Sequence, residues 1–253
     1  MNDRTATPIA LFDSGAGGIG VLREVQKLLP REQLVYFGDS RNAPYGERSA
    51  QEVKELVLFH GERLLKNAKA LVLACNTATA VAAATLRQRY PGVPIIGMEP
   101  ALRPAVHSLK NPKVLVLATA ATLSQEKYRL LQKKYEKNAT VWSIPAPGLV
   151  RLVEAGHGDS PQTDAYLRTL LADLPAPPDA VVLGCTHFPF AANALHRVLG
   201  DIPLWDGAAG TASQLKRVLE QKGLSASTGA VGSTVLNASD PRSLPLFLRL
   251  LHP

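Results

Sequence analysis

Residues 70–78 read "ALVLACNTA". The run is apolar from Ala70 to Ala74, the pattern of a strand buried on both faces, and it passes straight into Cys75, Asn76 and Thr77. A strand that needs cover on both faces belongs in a parallel sheet flanked by helices. A second stretch, "VVLGCTHFPF" (181–190), repeats the plan of "LVLACNTATA" (71–80): apolar strand, small residue, cysteine, polar residues, helix start. The repeat suggests two similar α/β halves, each bringing one cysteine to a strand end. A site between the halves would let the two cysteines face each other.

Working outward, short β-rich runs recur at 9–12, 34–37, 93–97, 113–118, 140–144, 202–205 and 229–236. Helical patterns lie between most of them. Val21, Leu22, Val25, Leu28 and Leu29 recur at helical spacing before Pro30 ends the run, and "SAQEVKELVLFHGERLL" (49–65) opens with Ser49 as cap and Glu52 as its capping-box partner. Alternating strands and helices predict an α/β fold with mainly parallel sheets. Pro100 and Pro104 interrupt the pattern within 97–105, and "DGAAGTAS" (206–213) marks a return. The expected domains are therefore 1–98 plus 210–253, with the first cysteine, and 99–209, with the second. Ligands of open parallel sheets bind beyond the carboxyl ends of the strands. Those ends carry Asp13-Ser14, Gly38-Asp39, Cys75-Asn76-Thr77, Thr119 and Cys185-Thr186-His187.

Composition excludes several classes. With 253 residues and 46% hydrophobic content the chain can bury ordinary cores, and no run approaches the roughly 18 apolar residues of a membrane span. The start "MNDRTATPIA" has no signal-peptide pattern, so a cytoplasmic location is expected. A net charge of +7 would attract nucleic acid. Yet the densest basic groups, "RLLKNAK" (63–69) and "QKKYEK" (132–137), are broken by apolar or acidic residues and read as solvated helix faces. Two distant cysteines in a reducing compartment need no disulfide, and neither belongs to a C-x-x-C pair of the kind that binds metal.

"GAGGIG" (15–20), followed by Asp39, fits a dinucleotide fingerprint. Against that reading, Asp13 would place a carboxylate beside the pyrophosphate, and Asp39 lies past its strand. A glycine turn that admits a small anion to a helix N-terminus fits equally well. "GDSRNAPYGERS" (38–49) reads either as a plain turn-rich loop or as a ligand cover. Asp13 could cap the following helix. Cys75 alone reads as a small buried hydrophobe. Two cysteines at strand-to-helix junctions, where the dipole and free N–H groups stabilise thiolate, read differently. His187, two residues from Cys185, is either a core histidine or its proton partner. One Cys with a His would suggest acyl transfer through a thioester, which leaves the other cysteine unexplained. Two opposed thiols suit removal of a proton from one face of a carbon and delivery to the other. A thiol pKa of about 8.5 lets one thiolate and one thiol coexist near neutrality. Inversion of a stereocentre is the natural outcome.

The segments "FDSGAGGIGVLREV", "YFGDSRNAPYGERS", "ACNTATA", "TAATLSQEKY" (119–128) and "LGCTHFP" occur in an order and spacing that resembles the glutamate racemases of the cofactor-independent aspartate/glutamate racemase superfamily. The resemblance spans almost the whole chain. It implies two pseudo-symmetric α/β domains with the active site in the cleft between them, no pyridoxal phosphate or other cofactor, and a homodimer. It also implies interconversion of L- and D-glutamate, the D-isomer feeding peptidoglycan synthesis. Cys75 and Cys185 would be the paired acid/base residues, with Asp13 assisting Cys75 and His187 and Glu154 assisting Cys185. Substrate contacts would come from Asp13, Ser14, Tyr45, Gly46, Asn76, Thr77, Thr119, Thr122, Thr186 and His187. Phe188 departs from the tyrosine common in the family, and the short N-terminus argues against an activator site built from an extension. The alternatives are a sister racemase of aspartate or another acidic compound, and a nucleic-acid- or gyrase-binding protein that exploits the net charge.

Overall fold

The computed structural model describes residues 4–252. The chain runs through β1 (Ile9–Asp13), α1 (Ile19–Leu28), β2 (Gln33–Gly38), α2 (Ala50–Leu65), β3 (Ala70–Leu73), α3 (Asn76–Arg89) and β4 (Ile95–Gly97). It continues through α4 (Leu102–His107), β5 (Lys113–Ala118), α5 (Ala120–Ser124), α6 (Glu126–Tyr135), β6 (Thr140–Pro145), α7 (Pro147–Glu154), α8 (Pro161–Leu170), β7 (Ala180–Gly184), α9 (Ala192–Leu199) and β8 (Leu204–Trp205). The helix α10 (Ala208–Gln221), the strand β9 (Ser233–Ala238) and the helix α11 (Leu244–Leu251) complete it. By internal contacts the chain divides into two units, Met1–Met98 with Ala208–Pro253, and Glu99–Gly207.

Each unit has its own sheet. The first has the order β4-β3-β1-β2-β9 and the second β6-β5-β7-β8, with parallel pairing throughout. The molecule is thus α/β, as the alternation of patterns implies. The continuous apolar runs are the inner strands: β1, β3 and β7 are buried at every position, whereas the edge strands β6 and β9 are partly exposed. In the second unit Leu115, Leu117, Val181 and Leu183 pack on one face against Leu149 and Phe188. Val114, Val116 and Val182 pack on the other against Leu102 and Tyr128. Both faces of the sheet are dry, so no polar alternation survives in the sequence. In the first unit, α2 begins with the capping box read from its spacing: Ser49 Oγ accepts from Glu52 N at 3.2 Å, and Glu52 Oε2 accepts from Ser49 N at 3.0 Å.

Two local expectations change. Pro104 does not break the chain but lies in the first turn of α4, where the missing N–H has no intrahelical partner to lose. The strand expected at 229–236 begins only at Ser233. Before it, Gly232 passes so close to Pro30 that a Cβ would lie 2.1 Å from the Pro30 carbonyl oxygen, a crossing that only glycine permits.

The glycine-rich turn after β1 has a packing explanation. Asp13 Oδ1 accepts from Gly15 N at 2.9 Å, so the protein's own carboxyl takes an amide that a bound phosphate would use. Tyr36 Oη donates to the Gly15 carbonyl at 2.6 Å. A Cβ on Gly18 would stand 2.6 Å from Asp13 Cβ and 2.9 Å from Tyr36 Oη. The turn is therefore wrapped around Asp13. Gly18→Ala is expected to lower stability by about 1–3 kcal/mol through overpacking. Urea denaturation reads the change, and an unaltered midpoint would contradict this view of the turn.

Candidate active site

In the first unit the parallel register sets the carboxyl edge. Asp13 is level with Gly38, Asp39 N donates to Asp13 O at 2.9 Å, and Ala74 N donates to Phe12 O at 2.8 Å. Asp13, Asp39 and Cys75 therefore leave three adjacent strands together. Cys75 is the N-cap of α3, and its Sγ accepts from Ala78 N at 3.4 Å and lies 3.8 Å from Ser14 Oγ. Asp13, Ser14, Asn76 and Thr77 are all buried there. The Asn76 amide is unusual. Both its nitrogen and its oxygen are buried without a hydrogen-bond partner among the described residues. A buried polar group left unpaired in this way costs about 1–3 kcal/mol.

Tyr45 and Gly46 lie in the loop after β2, and Tyr45 is 1% exposed. Its hydroxyl donates to Asp39 Oδ2 at 2.6 Å, and burial with that carboxylate pushes its pKa far up. The hydroxyl is thus engaged inside the protein, and what the turn can offer a ligand is backbone. Asp39, which the sequence offers as a strand end and as the acidic residue of a dinucleotide fingerprint, is buried and bonded to Tyr45. Burial opposes its ionisation, but donors from His60, Tyr45, Ser239 and Asn42 outweigh burial and hold its pKa at about 2.

In the second unit Ala118 at the end of β5 is level with Gly184 at the end of β7, so Thr119 and Cys185 leave neighbouring strands. Thr119 N-caps α5: its Oγ1 accepts from Thr122 N at 3.1 Å and donates to Thr122 Oγ1 at 3.0 Å. Cys185 differs from Cys75 and from expectation, because no α-helix starts at it. A 3-10 turn, Phe188–Ala191, intervenes, and α9 begins only at Ala192. The sulfur instead lies 3.7 Å from His187 Nδ1, while His187 Nε2 lies 2.6 Å from Glu154 Oε1. Glu154 ends α7, distant in sequence, and the fold brings it to His187. Thr186 is buried beside them, and Phe188 is fully buried in the core rather than presenting a polar group. Burial alone would lower the His187 pKa, but hydrogen bonds to Cys185 and Glu154, reinforced by their charge, raise it well above 6.5.

Each unit thus holds one buried free thiol at the carboxyl end of an inner strand. One is set among an amide N–H and a hydroxyl, the other at the end of a carboxylate–imidazole chain. Among the described residues no group of three or more His, Cys, Asp or Glu could hold a metal ion.

The family model for Asp/Glu/hydantoin racemases matches residues 19–215. The chain belongs to that racemase family. Within the family, it is 47% identical to a glutamate racemase of Clostridium acetobutylicum over 216 residues, covering 85% of this chain and 84% of the relative. The crystal structure of glutamate racemase from Thermus thermophilus, in complex with beta-chloro-D-alanine, is 35% identical with a TM-score of 0.80, covering 98% of this chain and 94% of that one. The Francisella tularensis enzyme, in complex with D-glutamate, is 26% identical with a TM-score of 0.85, covering 98% and 95%.

In this racemase family member the His187 ring is expected to titrate well above 6.5 by nitrogen-detected NMR, and Glu154→Gln to bring the midpoint down. Because folding raises this pKa, the stabilisation is complete below about pH 6.5 and is lost as pH rises through the folded midpoint. A midpoint at or below 6.5 in the folded protein would contradict the relay.

Proposed function

We propose that the chain interconverts L- and D-glutamate by two-base proton transfer between Cys75 and Cys185, without a cofactor. The observation that carries this reading is the pair of buried free thiols, one per unit, each at the carboxyl end of an inner parallel strand beside polar side chains. The many glutamate racemases similar over nearly the whole chain support glutamate as substrate.

The thiolate of one cysteine takes the α-proton and the thiol of the other protonates the opposite face, so the configuration inverts and the two sulfurs exchange states. The reaction requires both thiols to address one α-carbon from opposite sides. His187, held by Glu154, exchanges a proton with Cys185 across the 3.7 Å contact. Asp13 serves Cys75 in the same way, with Ser14 beside the sulfur. The Asn76 amide supplies donor and acceptor to the substrate's carboxylate and ammonium. Ser14, Thr77 and Thr186 add hydroxyls, Tyr45 and Gly46 add backbone N–H, and Thr119 and Thr122 are further substrate contacts. Donors aimed at the reacting carboxylate stabilise the negative charge that develops when the α-proton leaves. On the same reading the protein acts in the cytoplasm as a homodimer and supplies D-glutamate for peptidoglycan synthesis.

Cys75→Ser and Cys185→Ser should each abolish racemisation. Each should still eliminate the leaving group from one enantiomer of a β-substituted glutamate, since elimination needs only one base. Chiral chromatography reads both, with aspartate as competing substrate; a single variant racemising at the wild-type rate, or a preference for aspartate, would overturn the proposal. Asn76→Ala should raise KM for both glutamate enantiomers by about tenfold to a hundredfold while leaving the unfolding midpoint unchanged or higher, because no protein partner is lost. A large fall in stability with KM unchanged would assign the amide a structural role instead.

A further inference from the structure

The loop that offers Tyr45 and Gly46 is tied down by a group outside the proposed reaction. Asp39 is wholly buried and sits between two parts of the site: its backbone N–H donates to the Asp13 carbonyl at 2.9 Å, and its carboxylate accepts the Tyr45 hydroxyl at 2.6 Å. The same carboxylate accepts from Asn42 Nδ2 at 3.0 and 3.1 Å, and His60 Nε2 lies 3.5 Å away. The Arg48 guanidinium closes the turn by donating to the Asn42 carbonyl at 2.6 Å. A buried carboxylate is costly unless it is both hydrogen-bonded and balanced in charge. Among the described residues, the side chains that meet the Asp39 carboxylate are those of Tyr45, Asn42, Ser239 and His60. The His60 ring is held for this contact by Phe37 and Phe12, with centroids at 4.7 and 6.0 Å.

We propose that His60 is a positioning residue: acting through Asp39, it holds the Tyr45–Gly46 turn in the shape that presents its backbone to the substrate. His60 takes no part in the proton transfer proposed above. Its influence passes along the path His60, Asp39, Tyr45 and is delivered as backbone geometry. The inference rests on glutamate racemisation for its kinetic consequence, but the positioning itself can be read without turnover.

His60→Leu keeps apolar contact with Phe37 and removes the donor, whereas His60→Gln keeps a donor. In His60→Leu, KM for both glutamate enantiomers is expected to rise about five- to tenfold with kcat within about twofold, and His60→Gln to restore most of the loss. Tyr45→Phe should raise KM similarly, and the double variant should fall short of the product of the two effects, because both act through one carboxylate. Amide hydrogen exchange at residues 45–47 should quicken in His60→Leu and not in His60→Gln. Unchanged exchange in His60→Leu would overturn the inference whatever the substrate is. If the wild type failed to racemise glutamate, the function proposed above would fall, while the exchange data would still decide the role of His60.

Discussion

The chemistry depends on the parallel register of β2, β1 and β3. Backbone hydrogen bonds from Asp39 N to Asp13 O and from Ala74 N to Phe12 O bring the three strands to an end at one level. Side chains along a strand alternate between faces, so a slip of one residue would move every one of them to the opposite side. The Tyr36 hydroxyl would then lose the Gly15 carbonyl, and Cys75 its place beside Ser14. The two faces of a buried sheet pack into separate close-packed clusters, as in the second unit, so such a slip is expensive and the buried apolar residues also set the aim of the polar ones. The pairing of Ala118 with Gly184 performs the same task for Thr119 and Cys185.

The two thiols are not held by the same physics. Cys75 sits at the start of a long α-helix, with the Ala78 amide on its sulfur and the helix dipole behind it. Cys185 has a 3-10 turn in that place and instead meets His187, whose other ring nitrogen lies 2.6 Å from Glu154. Fixed dipoles serve one sulfur and a titratable relay serves the other. The shared plan of "LVLACNTATA" and "VVLGCTHFPF", apolar strand, small residue, cysteine, polar residues, conceals this asymmetry.

Much of the fold was legible because buried parallel strands leave continuous apolar runs and because the Ser49–Glu52 spacing is a local signal. Strand ends located most of the proposed site for the same reason. What could not be read depends on distance in the chain. Nothing local to Glu154 says that its carboxyl lies 2.6 Å from His187; only the resemblance pointed there. Asp39 was legible as a strand end but not as the partner of the Tyr45 hydroxyl, and His60 escaped because it looks ordinary alone, a histidine on a helix. The resemblance proposed Tyr45 as a substrate contact, but nothing in the sequence says that its hydroxyl turns inward to Asp39. The late start of β9 follows from the passage of Gly232 against Pro30, a tertiary contact with no local trace.

Two opposed thiols make a requirement that one base cannot meet, and solvent isotope tests it most directly. L-Glutamate is racemised in deuterated water and the reaction is stopped early, before product can return. Deuterium at the α-carbon of the newly formed D-glutamate, with none in the remaining L-glutamate, is the result expected when separate groups remove and deliver the proton. Equal labelling of recovered substrate and product would mean that a single group does both, and the roles given to Cys75 and Cys185 would be wrong.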